Sequence, residues 1–424
     1  MPDPGRGLAA AEVAGRVDGE QAIADLVRLV RTPSVTGDER AAMDIAAELL
    51  EGMGLEVERI ETDPVAFARD DPDWPGQEMP RTDLPVVVAR LGRPGGRRLL
   101  LVGHLDVVPI GDPATWTVDP WGAEIRDGRL YGRGAVDMKG GCASILGAVR
   151  ALVESGAADA LEGELVVAFV PSEEDGGQGM LAAIRAGVTG DMAVITEPTD
   201  MELVIAHAGA ITFRVTVAGR AAHASMRREG VSALDGLATL IRALEADEAA
   251  RNAAETDPLM TALGLPYPTI VGKVSGGDWA STVMDRVVAD GRYGVALGES
   301  WRDAEVRLRR VVAEAAAADP FLRDHPPLVE LVGGRFSSSR VPAEHELPQA
   351  LAATVEAVIG RRPAFLGEPY GADMRLLVNE GATPTVIFGP GDIAVAHSAD
   401  EFVPVEDVVA CARVLAAFVV QTLG

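Results

Sequence analysis

Lysine is almost missing from this 424-residue chain: Lys139 and Lys273 are its only two, and arginine carries the rest of the positive charge. Basic residues number 38 against 64 acidic ones, and the resulting net charge of −26 argues against nucleic acid or an anionic membrane face as a partner. Cysteine is scarce as well. Cys142 and Cys411 supply neither a disulfide framework nor a thiolate zinc site, so any metal must be held by histidine and carboxylate. No apolar run approaches the roughly 18 residues of a bilayer-spanning helix. Residues 1–20 lack the apolar stretch of a secretory signal, so the expected location is cytoplasmic. What is present is globular in character, 48% hydrophobic and 24% charged, over a length for which two domains are expected.

Apolar spacing sets the elements. Ile23, Leu26, Val27 and Val30 predict a helix, and Ala42, Ile45, Ala46 and Leu49 another, with Asp38 as its expected cap. The acidic, proline-rich stretch 62–84 reads as a long surface loop. Unbroken apolar runs at 85–90, 98–103, 164–170 and 193–196 suit strands buried on both faces, with a helix around Ile145, Val149 and Leu152 between the second and third. Such alternation predicts a mostly parallel α/β sheet with flanking helices. From residue 209 the pattern changes. Ile211, Phe213, Val215 and Val217 alternate with polar residues, as in an antiparallel strand wet on one face. Next come a helix with Leu234, Leu237, Ala238 and Ile241 on one face, strands at 269–274 and 286–295, a helix at 299–318 and a strand at 328–332. This β-α-β-β-α-β order predicts a small inserted α+β domain of ferredoxin-like type. The larger pattern resumes with a strand at 385–388 and a closing helix around Val408, Cys411, Ala412 and Leu415.

Polar residues gather where the apolar runs end. His104 and Asp106 follow the second run, Glu173, Glu174 and Asp175 the third, and Glu197 the fourth, while Asp137 sits in the glycine-rich GRGAVDMKGG before a helix. Strand carboxyl ends of an open α/β sheet share one edge, where ligands bind. Taken singly, each residue is more often a cap or a solvated charge; together they form a cluster. Histidine and carboxylate without cysteine suit zinc, or cobalt or manganese, in a hydrolytic site. His397, after the 385–388 strand, supplies a second imidazole. Five ligands sharing one carboxylate suit two cations about 3.5–4 Å apart.

The stretches GHLDVVP, GRGAVDMKGG, PSEEDGG, ITEP and AHSADEFV resemble the motifs of the M20 metallopeptidases, in order, from about residue 20 to the end. They are most similar to the acetylornithine deacetylase and succinyl-diaminopimelate desuccinylase branch. The resemblance implies a zinc-peptidase-like catalytic domain, here 1–208 and 334–424, and an inserted lid and dimerisation domain, 209–333. It implies two divalent cations, zinc foremost, with Asp137 shared between them, His104 and Glu197 on one, and Glu174 and His397 on the other. Glu173 would be the general base acting on a water, and Asp106 would fix the His104 tautomer. His223, in GRAAHAS, resembles a histidine that reaches the reacting oxyanion from a partner subunit of a homodimer. Arg292, in ADGRYGV, resembles an arginine that grips the substrate carboxylate.

The implied activity is hydrolysis of the amide of a small N-acyl amino acid. A dipeptidase or carboxypeptidase on the same machinery is the nearer alternative, and a non-catalytic binding protein the farther one. Two departures bear on specificity. Ser281 and Met284 stand in ASTVMDR where relatives often have asparagine and proline. Ala372 replaces threonine in YGADMR, whose Gly371 and Asp373 read as structural. Cys142 reads as a small buried residue, and His207, His325 and His345 receive no role.

Overall fold

A computed structural model describes residues 9–424; the first eight residues of the expected catalytic domain lie outside it. The larger of its sheets has nine strands. From one edge they are Val57–Glu61, Pro85–Gly92, Glu164–Val170, Arg98–His104, Met192–Ile195, Thr385–Ile387, Leu203–His207 and Ser339–Arg340, with Phe365–Glu368 also paired to Leu203–His207. The central four run parallel, with His104 level with Val170, Val102 with Ile195, and Ile195 with Ile387. Their carboxyl ends therefore meet on one side. The strands beyond Glu164–Val170 on that flank turn antiparallel. Every residue of Glu164–Val170 is buried, which is why its sequence after Glu164 is continuously apolar rather than alternating.

Helices Gly140–Glu154 and Val405–Leu423 pack on each other and on Arg98–His104, while Arg40–Gly52 and Gln178–Arg185 cover Pro85–Gly92 and Glu164–Val170. The fit is closest at Gly141, where a Cβ would lie 1.9 Å from the Thr196 carbonyl oxygen. Glycine there lets a helix start against the strand end that delivers Glu197.

The second sheet is antiparallel, in the order Ile270–Gly276, Arg286–Val295, Gly209–Ala218, Leu328–Phe336. Helices Ala233–Ala254 and Trp301–Ala318 pack on it over a separate core that includes Phe213, Leu240, Tyr293 and Leu308. Gly209–Ala218 alternates buried and half-buried positions, as its sequence pattern requires. Its helix is rotated from expectation: Ala233, Leu237, Leu240 and Leu244 face the core, and Leu234 is exposed.

Two further expectations are corrected. Glu39, not Asp38, occupies the N-cap of Arg40–Gly52, and its carboxylate accepts from Gly37 N and Arg81 instead of capping the helix. The stretch 62–84 is not a loose loop. Asp63 caps a helix, Pro64–Asp70, by accepting from Val65 N and Ala66 N, and Arg81 is buried. An Asp-Pro start favours a first helical turn, a signal that the acidic composition masks.

Gly141→Ala should destabilise the chain by about 1–3 kcal/mol, because the intruding methyl meets backbone that cannot yield. The shift of the urea unfolding midpoint measures this, and an unchanged midpoint would contradict the close approach.

Candidate metal centre

His104 ends its strand, and its Nδ1 donates to the Asp106 main-chain oxygen at 2.9 Å. That bond fixes the tautomer and leaves Nε2 facing Asp137 Oδ1 at 3.2 Å and Glu197 Oε1 at 3.4 Å. The Asp106 carboxylate is farther from Nδ1, at 3.5 Å. Its shorter bonds are to the amides of Glu173 (3.0 Å) and Glu174 (3.1 Å) and to the Thr36 hydroxyl (3.1 Å). Asp106 thus clamps the loop that carries the two glutamates, beyond the orienting contact that the sequence suggests.

Asp137 lies between two imidazoles. Its Oδ1 faces His104, and its Oδ2 faces His397 Nε2 at 3.2 Å. His397 Nε2 is also 3.2 Å from the Glu174 carboxylate. Behind Asp137, the amides of Val136 and Asp137 donate to Glu401 at 3.0 and 3.2 Å, and Arg133 pairs with the same buried carboxylate at 2.5 Å. Neither Arg133 nor Glu401 was singled out in the sequence, although Glu401 lies inside the final motif. Ser172, before the glutamates, and His397 adopt positive φ angles of 70° and 59°. Such conformations in non-glycine residues are costly and concentrate at functional sites.

The electrostatics show what this arrangement fits. Asp137, Glu173 and Glu197 are buried and Glu174 is partly buried, and among the described residues no lysine or arginine pairs with any of these four acids; the imidazoles are the only ion-pair partners. Burial pushes Glu197 up to about 8 and Glu174 up to about 7, with Asp137 adding to both. Glu173 rises well above the usual carboxyl range through burial and then the charge of Glu197. Burial alone would lower His104, but Glu197, Asp106 and Asp137 outweigh it and hold the imidazole well above its ordinary value. Hydrogen bonds donated by its ring to the Asp137 and Glu174 carboxylates carry His397 up to about 11. An imidazole nitrogen 3.2 Å from a carboxylate oxygen must have a proton or a cation between them. The donor set of nitrogen and carboxylate oxygen, doubled about Asp137, suits two divalent cations. Donor atoms of His104, Asp137 and Glu174, and likewise of His104, Glu173 and Glu197, lie within 4.8 Å of one another.

A cavity of about 290 Å³ opens on the cluster. Its wall includes Asp137, Glu173, Glu174, Glu197 and His397, and is completed by Tyr370, Gly371, Ala372, Ile393 and Ala396. A larger cavity, about 800 Å³, lies among Asp257, Ser300, Ser338, Arg340 and Asn379 and contains none of the clustered groups. His223 is not in the 290 Å³ wall. It is exposed in the connection after Gly209–Ala218, at the N-cap of the short helical turn Ala224–Glu229, bonded through Nδ1 to Ser225 and bridged to Thr282 in the connection before Arg286–Val295. Arg292 is directed at backbone: Nη1 donates to Pro268 O at 3.2 Å and Nη2 to Pro369 O at 2.7 Å. Met284 packs against the core of the inserted sheet. Cys142 is buried, with its thiol donating to His104 O and pushed up to about 12 by burial. Asp373 is buried under the glutamate loop, where a Cβ on Gly177 would meet its Oδ1 at 2.2 Å.

The segment following Pro64–Asp70 braces this loop from outside. Asp175 Oδ2 accepts from Met79 N at 3.2 Å, Asp175 Oδ1 pairs with Arg81 at 3.4 Å, and Gly76 O accepts from Gln178 at 3.2 Å. On its other side Pro75 O accepts from Arg335 N at 2.7 Å, and Glu78 accepts from Thr212 at 3.0 Å. One stretch of chain therefore touches both the inserted sheet and the glutamate loop.

Residues 100–421 match the profile described as peptidase family M20/M25/M40. A succinyl-diaminopimelate desuccinylase of Methylorubrum extorquens is 32% identical over 399 residues, covering 89% of this chain and 93% of that protein. Among solved structures, an M20 family metallo-carboxypeptidase of Sulfolobus solfataricus superposes with a TM-score of 0.74 at 17% identity, covering 94% and 98% of the two chains. A Bacillus subtilis protein described as a dinuclear metal binding peptidase of the M20 family gives 0.63 at 16% identity, covering 96% and 98%.

Because cations must displace the protons that this site otherwise holds, loading with Zn²⁺ or Co²⁺ should release protons and weaken as pH falls from 8 to 5. Calorimetry in two buffers of different ionisation enthalpy measures the release. Proton-neutral binding of constant affinity across that range would contradict the assignment.

Proposed function

This chain belongs to the M20/M25/M40 peptidase family and is a metal-dependent hydrolase, and from that premise we propose that it removes the acyl group from an N-acyl amino acid, with N-succinyl and N-acetyl amides as its substrate class. The observation that carries the reading is Asp137, whose two oxygens face two different imidazoles across a buried acidic cluster. Identity of 32% with a desuccinylase over most of both chains supports the substrate class.

In this reading His104, Asp137 and Glu197 hold one cation, and Asp137, Glu174 and His397 the other, zinc being the metal proposed and cobalt or manganese its substitutes. Such a pair supplies Lewis acidity, acidifying a water and polarising the scissile carbonyl. Glu173 borders the cavity without a hydrogen-bonded partner for its carboxylate among the described residues. It accepts the proton of the attacking water and returns it to the leaving nitrogen. Asp106 keeps Glu173 in place through its amide and keeps His104 in one tautomer through its own carbonyl. Arg292 takes the substrate carboxylate with the guanidinium hydrogens that Pro268 and Pro369 leave over.

The inserted segment 209–333 serves as lid and dimerisation surface. Its outer strand Ile270–Gly276 is largely exposed, with Ile270 61% and nearby Trp279 74% accessible, which supports pairing with a second copy. His223, exposed in a connection of the same inserted segment, would then serve the partner's cavity as donor to the reacting oxygen. A cytoplasmic location belongs to the same proposal.

Metal-loaded protein should hydrolyse N-succinyl or N-acetyl amino acids faster than free dipeptides, and a reversed preference would overturn the substrate class. Glu173→Gln should keep its metal content and lose about 10²–10⁴ in kcat. Undiminished turnover would remove Glu173 from the mechanism.

A further inference from the structure

Four acids and an imidazole dominate the wall of the 290 Å³ cavity, and most of the remainder is apolar or glycine: Gly371, Ala372, Ile393 and Ala396. Tyr370 is the exception. Its hydroxyl is buried and has no hydrogen-bond partner among the described residues. A buried hydroxyl without a partner is destabilising, and such groups persist where they serve a ligand. A tyrosine hydroxyl of ordinary pKa, about 10, is protonated at neutral pH and able to donate.

The loop that carries Tyr370 is rigidly mounted. Pro369 O accepts from Arg292 Nη2 at 2.7 Å. A Cβ on Gly371 would lie 2.6 Å from the Phe336 side chain, so this turn presses against the last residue of Leu328–Phe336. Arg292 and Phe336 both belong to the inserted sheet. That sheet therefore buttresses the loop that holds Tyr370 at the cavity wall.

We propose that Tyr370 is a further catalytic residue, donating a hydrogen bond from its hydroxyl to the scissile carbonyl oxygen as that oxygen gains negative charge. The carboxylates around it are acceptors and cannot do this. A neutral hydroxyl donor in a wall otherwise lined by carboxylates is placed to share the charge that develops on that oxygen. Tyr370 retains its proton throughout; no bond to it forms or breaks. The hydrogen bond adds to the one given to His223 and comes from the chain's own cavity wall, where Tyr370 sits. The inference rests on the deacylase reading and names a residue for it.

The test compares wild type, Tyr370→Phe and Glu173→Gln on the N-succinyl or N-acetyl amino acid that the wild type turns over fastest. Metal content, melting temperature, and affinity for a phosphinate mimic of the tetrahedral state and for the product amino acid are measured alongside. Tyr370→Phe should lose about 10²-fold in kcat with little change in KM. It should bind the phosphinate more weakly by the same factor while binding the product unchanged. Its metal content should equal wild type, and its melting temperature should be equal or higher, since only an unpartnered oxygen is removed. Turnover within threefold of wild type would overturn the proposal. So would a loss accompanied by lost metal, which would make Tyr370 a support of the metal centre. If the wild type hydrolyses no N-acyl amino acid while Tyr370→Phe is folded and metal-loaded, the deacylase reading itself fails, and the Tyr370 assignment falls with it.

Discussion

Asp137, Glu173, Glu174 and Glu197 crowd onto one sheet edge without a lysine or arginine paired to any of them among the described residues. Like charges this close cannot all remain ionised in a poorly hydrated site unless protons or cations stand between them. Much of the surrounding structure serves to keep that crowding in place. Parallel strands deliver His104 and Glu197 to one edge. Asp106 ties down the amides of the two glutamates, and the buried Arg133–Glu401 pair does the same for Asp137. A fold that assembles so much negative potential is shaped for divalent cations, in keeping with the hydrolytic family to which the chain belongs.

The segment around 75–81 adds a mechanical link to this picture. It hydrogen-bonds the inserted sheet through Pro75 and Glu78 and the glutamate loop through Gly76, Met79 and Arg81. The loop carrying Tyr370 makes a second link, through Arg292 and Phe336. The inserted sheet is therefore connected to two walls of the cavity, although its own core is separate. A change in its orientation would be felt at the glutamates and at Tyr370 together.

Much of the large sheet and of the cluster is legible in the sequence because apolar runs end abruptly in acids and histidines. His104, Glu173, Glu174 and Glu197 are each announced by a strand that stops, and Asp137 and His397 by motifs whose resemblance is specific. The structure brings these six together. It leaves His223 exposed and outside the cavity wall of its own chain. Other features carry no periodic signal. Arg81 and Asp175 lie in stretches whose composition is that of solvated loops, and only tertiary contact shows them buried. Tyr370 sits in an irregular turn where no pattern marks a ring as facing a cavity. The misplaced cap at Asp38 and the misassigned face at Leu234 are shifts of one residue, the resolution at which a 3.6-residue period stops deciding.

Anomalous diffraction at the zinc edge from crystals of the metal-loaded protein tests the central claim most directly. The account predicts two peaks about 3.5–4 Å apart, one beside His104 and Glu197, the other beside His397 and Glu174, with Asp137 between them. A single peak, or two peaks away from Asp137, would contradict it.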